Sequence, residues 1–130
     1  MRNPFSLGLL LSFAALLNAP AGTFSTSFNS GLPAGASLYG AAFVDTSGGP
    51  DNSGCLKLTY SQASQTAGFI LNDLDSGGNI NGFTATFQLV LGGTNAATAD
   101  GFSFNYASDL PDGTINEEGA GTGLTVEFDT

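Results

Sequence analysis

An all-β sandwich is the fold class this sequence predicts, on three observations. Thr, Phe, Val and Leu recur in short runs where apolar and polar residues alternate, the period of a half-buried strand. Nineteen glycines and little charge between those runs supply the turns. No stretch beyond residue 21 places its apolar residues at helical spacing. Short antiparallel strands with aromatic inner faces need a second layer to cover them, and a sandwich is the arrangement that supplies it.

Residues 1–21 read as a secretory signal peptide. Arg2 precedes a mostly apolar run from Leu7 to Leu17, and the segment ending at Ala19, Pro20 and Ala21 presents alanines in the two positions a signal peptidase reads. The run is too short to span a membrane. Cleavage after Ala21 leaves residues 22–130, one domain or part of one, in which eleven acids face Lys57 alone. Such a chain repels phosphate backbones and anionic lipid surfaces, so neither nucleic acid nor membrane insertion is expected. Its acidity suits a secreted or cell-surface protein that holds divalent cations through oxygen ligands. Histidine is absent, which removes the usual general base and zinc ligand. Cys55 is the one cysteine, so no intrachain disulfide forms, and it reads as a small buried hydrophobe. Within these residues a Ser-His-Asp or Cys-His machine is ruled out.

Taken in order, residues 24–28 (FSTSF) alternate as a short strand with Phe24, Thr26 and Phe28 on one side. Residues 37–44 (SLYGAAFV) form a strand whose Gly40 and two alanines leave room for another segment to lie closely over it. Residues 45–53 are a loop. Asp45, Asp51 and Asn52 are calcium ligands in type, although the composition reads first as a solvated acidic loop. Residues 54–60 alternate, with Leu56, Leu58 and Tyr60 opposed to Cys55, Lys57 and Thr59, and residues 68–71 form the next strand. Residues 82–91 (GFTATFQLVL) give the strongest strand pattern of all, with Phe83, Ala85, Phe87, Leu89 and Leu91 on one face. Residues 99–106 follow with Phe102, Phe104 and Tyr106 inward and Ser103 and Asn105 outward. A glycine-rich loop over 109–121 leads to a last strand beginning near Leu124.

That last strand carries the chemistry. Leu124, Val126 and Phe128 alternate with Thr125, Glu127 and Asp129, so two carboxylates share a face about 7 Å apart, close enough to share a hard cation or a sugar ring. The sequence ends inside this strand, which predicts an incomplete domain.

Two segments, Ala99-Asp100-Gly101-Phe102-Ser103-Phe104 and Gly121-Thr122-Gly123-Leu124-Thr125-Val126-Glu127-Phe128-Asp129-Thr130, resemble consecutive signatures of the legume-type (L-type) lectins. The resemblance extends from about Phe24 onward. It implies a concanavalin A-like jelly-roll β-sandwich, here incomplete, with residues 22–130 as the N-terminal part of a lectin-like domain in a longer extracellular protein. It also implies calcium-dependent glycan binding without catalysis. Asp100 would accept hydrogen bonds from sugar hydroxyls and follow a cis peptide bond after Ala99. A backbone amide from Gly119, Gly121 or Gly123, with Gly121 favoured, would reach the sugar. Glu127 would bind a transition metal such as Mn2+, and Asp129 would bridge that ion and Ca2+. Asn105, Tyr106 and the loop over 109–121 are further candidates to meet the sugar. The family's remaining ligands would follow Thr130.

Two alternatives stand beside this. The same sandwich serves as a structural or adhesive spacer without a ligand site. Glu127-Phe128-Asp129 also begins like the strand motif of laminarinase-type glycoside hydrolases, whose second glutamate would lie beyond Thr130.

Overall fold

The computed structural model describes residues 22–60, 62–92 and 101–129. The expected signal peptide over 1–21, the Ala99–Asp100 bond and Asp100 itself lie outside them. Regular structure among the described residues is all β apart from a short 3-10 turn at Pro50–Asn52. Six strands form three antiparallel two-stranded ribbons. β1 (Ala36–Gly40) pairs with β4 (Ala67–Leu71), from Ala36 opposite Leu71 to Gly40 opposite Ala67. β2 (Phe43–Asp45) pairs with β3 (Cys55–Lys57). β5 (Gly101–Tyr106) pairs with β6 (Leu124–Asp129), from Gly101 opposite Asp129 to Tyr106 opposite Leu124. The described ribbons do not join into one closed or curled sheet.

The single strand expected over 37–44 is two, and Gly40 is the reason. It adopts φ +62°, in the left-handed region that glycine enters at little cost, and the Thr66 carbonyl and Thr114 methyl lie where a side chain would stand. The Ala41 amide donates to the Thr66 carbonyl at 3.0 Å and the Ala42 amide to Tyr39 at 3.3 Å, closing a tight turn. The chain thereby leaves β4 as partner and takes up β3. A loop crosses the first ribbon from the other side: the Ile115 amide donates to the Ala67 carbonyl at 3.3 Å, and the Gly113 carbonyl covers Gly68.

Two further expected strands do not pair. Residues 24–28 keep the alternation, with 24, 26 and 28 half-buried and 25 and 27 exposed, but make no ladder. The Thr26 hydroxyl accepts the Phe28 amide at 3.0 Å, and Phe28 turns to φ +58°. Residues 82–91 likewise have no strand partner among the described residues. Their expected inner face is nevertheless used. Phe83 stacks on Tyr106 with ring centroids 4.2 Å apart, and Phe87 lies about 6 Å from Phe102, Phe104 and Phe128. The segment packs on the β5–β6 ribbon without hydrogen bonding into a sheet among the described residues.

Aromatic clusters stand in for a continuous core. Phe24 and Phe28 pack on Phe69 of β4, with centroids 6.4 and 5.8 Å away. Phe43 stacks on Tyr60 at 4.9 Å, so Tyr60 leaves the Leu56 and Leu58 face expected for it. The third and largest cluster joins Phe83 and Phe87 to Phe102, Phe104, Tyr106 and Phe128. No hydrophobic side chain among the described residues is fully buried.

Candidate functional site

The β5–β6 ribbon sorts its residues by strand parity. Partners across an antiparallel ladder share a face, so Phe102 with Phe128, Phe104 with Val126 and Tyr106 with Leu124 form the apolar face. Gly101 with Asp129, Ser103 with Glu127 and Asn105 with Thr125 form the polar one. Glu127 and Asp129 therefore stand on the same face, both exposed, opposite Ser103 and Gly101.

Asn105 organises the rest of that face. Its amide oxygen accepts from the Thr125 hydroxyl at 2.8 Å and from the Ala120 backbone at 3.0 Å, while its amide nitrogen donates to the Ser103 hydroxyl at 3.0 Å. Ser103 in turn donates to the Asn116 carbonyl at 3.1 Å. These bonds fasten residues 116–120 across the ribbon. They also occupy Asn105, which the sequence offers as a sugar contact and the structure uses as a brace. Tyr106, the aromatic candidate beside it, stacks on Phe83 on the apolar face.

The loop over 107–123 closes on Asp109. Its carboxylate accepts the Thr122 amide at 2.8 Å, and this bond, together with the Thr122 hydroxyl, holds its pKa below the ordinary 3.8 against the opposing effect of desolvation. Gly121 sits at the tip with φ +82°, where a side chain would press on Ala107 and Asp109. The amides of Gly119, Ala120 and Thr122 donate to Asn116, Asn105 and Asp109, whereas that of Gly121 donates to no described residue. Gly121 and the two carboxylates are not brought together. Gly121 adjoins the Tyr106–Leu124 end of the ribbon and Asp129 the Gly101 end, about 17 Å away along six residues of strand.

Glu127 and Asp129 fit a hard cation in kind and fall short in number. Calcium takes six to eight oxygens, and among the described residues no group of three or more His, Cys, Asp or Glu side chains converges. Elsewhere, Asp45 is occupied: it accepts from Lys57 at 2.6 Å and from the Ser47 amide at 3.1 Å. The hydrogen bond from Lys57 lowers the Asp45 pKa and raises that of Lys57, whose ammonium also lies 5.5 Å from the centre of the Phe43 ring. Asp73 accepts the amides of Asp75 and Gly77 and so closes its own loop, whereas Asp75 accepts that of Gly22 and ties the N-terminal segment to this loop. The Asn105 brace and the Asp109 clasp are the functional-region residues that sequence reasoning missed as such. Strand alternation places Asn105 outward, but only the folded loop shows what it meets.

Comparison with protein-family models, with curated proteins and with solved structures finds no match. No helix among the described residues is long and apolar enough to cross a membrane.

Proposed function

We propose that residues 22–130 belong to a secreted, non-catalytic carbohydrate-binding module of the concanavalin A-like jelly-roll type, part of a longer extracellular protein, that binds glycan with the help of calcium. The observation that supports this is the β5–β6 register. It sets Glu127 and Asp129 side by side on the polar face, with Asp129 opposite Gly101, the residue that directly follows Asp100. In this proposal sugar hydroxyls donate to Asp100, and the amide of Gly121, which donates to no described residue, is a further donor. Glu127 and Asp129 hold the cations, calcium and a transition metal such as Mn2+, with the other ligands coming from outside the described residues. Bound calcium would supply a fixed positive charge that keeps the carboxylates and their loop in one arrangement.

The test is calcium calorimetry on the product of the whole gene, followed by glycan-array binding with and without chelator. Micromolar calcium binding that is lost in Asp129→Asn, with glycan binding lost in chelator and in Asp100→Asn, is the expected result. A folded protein that takes up neither metal nor glycan overturns the proposal in favour of the spacer.

A further inference from the structure

The backbone nitrogen of Gly22 donates to the Asp75 carboxylate at 2.6 Å, a bond between residues 53 apart in the sequence. Gly22 reaches it by continuing a face already in use. Residues 22, 24, 26 and 28 are all half-buried, and Phe24 and Phe28 rest on Phe69 of β4, the strand that leads into the loop carrying Asp75. The Leu74 carbonyl and Cβ lie where a side chain at position 22 would stand, so the approach calls for glycine.

The acceptor is held in place by its own loop. Asp73 accepts the Asp75 amide at 2.8 Å and the Gly77 amide as well, and the Gly78 amide donates to the Asp75 carbonyl at 3.0 Å. The Asp75 backbone is thus fixed on both sides while its half-buried carboxylate meets Gly22. Asp73, the other titratable group of this loop, is exposed and bonded to the loop's own amides.

We propose that Asp75 is the receptor for the mature N-terminus. Hydrolysis of the Ala21–Gly22 bond by a signal peptidase turns the Gly22 amide into an α-ammonium, which forms an ion pair with Asp75 and locks residues 22–28 onto β4. This rests on the secretory reading of residues 1–21. Water supplies the oxygen that goes to the Ala21 carbonyl carbon, leaving a carboxylate there, and the released Gly22 amine is protonated at neutral pH. A neutral donor with one hydrogen becomes a charged donor with three, and a charge-assisted bond replaces an ordinary one on the donor's side. Cleavage also removes Arg2, so the new ammonium and Lys57 are the two cations of residues 22–130. Lys57 already lies on Asp45 at 2.6 Å, and Gly22 on Asp75 gives the second cation an aspartate too. Export processing therefore tightens the docking of the N-terminal segment.

The test uses the secreted product of the whole gene. N-terminal sequencing identifies its first residue, and reductive methylation with 13C-formaldehyde gives its one α-amine an NMR signal distinct from those of lysine side chains. The first residue should be Gly22, and its amine should hold the proton about tenfold more tightly than a free α-amine. Asp75→Asn removes the partner charge, and Gly22→Ala keeps the amine but sets a methyl group against Leu74. Both should return the amine to ordinary behaviour with the far-UV circular dichroism unchanged. A product that begins at Gly22 with an ordinary α-amine overturns the ion pair and leaves the secretory reading standing, as does a tightened amine that Asp75→Asn leaves unmoved. A product that keeps residues 1–21, or begins elsewhere, overturns both the ion pair and the cleavage it rests on.

Discussion

Asn105 has one side-chain oxygen and spends it on two donors. Replacing it with alanine leaves the Ala120 amide and the Thr125 hydroxyl without their acceptor and frees Ser103 from its donor. Asn105→Ala should cost about 1–2 kcal/mol in urea denaturation, and the loop over 116–120 should exchange its amides faster before the ribbon does. Asp109 makes a different prediction because it titrates. Its folded pKa lies below the ordinary value, so its contribution is full above the unfolded pKa and is lost as the pH falls through the folded one. The Thr122 amide should therefore lose its exchange protection as the pH drops below about 4, and Asp109→Asn should weaken it at neutral pH and flatten that dependence. The Asp45–Lys57 bond follows the same rule on its acid side. On its basic side Lys57, with a raised pKa, holds its contribution below the unfolded lysine value and loses it as the pH climbs through the folded one.

At the scale of the element, alternation names faces and leaves partners open. Phe24 and Phe28 point where the two-residue period says, and so do Phe83 and Phe87, yet neither segment joins a ladder among the described residues. Pairing depends on distant backbone arriving in register, and nothing in FSTSF announces that the Thr26 hydroxyl will take the Phe28 amide for itself. Where two runs do meet, as in β5 and β6, the polar and apolar faces were legible residue by residue, including the shared face of Glu127 and Asp129. Gly40 was legible as a place of close approach but not as a strand break, since its positive φ belongs to the turn that Ala41 and Ala42 complete. That the Gly121 amide donates to no described residue had no sequence signal beyond the glycine itself. Phe69 is the residue on which the N-terminal segment rests, touching both Phe24 and Phe28. Phe69→Ala should destabilise the chain by about 2 kcal/mol, less than for a fully buried ring, and a denaturant titration would measure it.

For the whole molecule, three ribbons held by half-buried rings face a net charge of −9. Self-repulsion is then a sizeable fraction of a small stability, and salt screens it. The thermal midpoint should rise with added sodium chloride; a midpoint that falls would mean that the Asp45–Lys57 pair outweighs the repulsion. That pair has a last consequence. Arginine and lysine number two in the entire chain, Arg2 and Lys57, so trypsin has only two bonds it can cut. The second follows Lys57, whose ammonium is bound to Asp45 and whose backbone is laddered to Phe43. A protease needs that stretch extended and released, so digestion at Lys57 runs only as fast as the β2–β3 ribbon opens and re-forms. The chain carries its own stopwatch: one internal peptide bond, read on a gel, reports the breathing of one ribbon with no label attached.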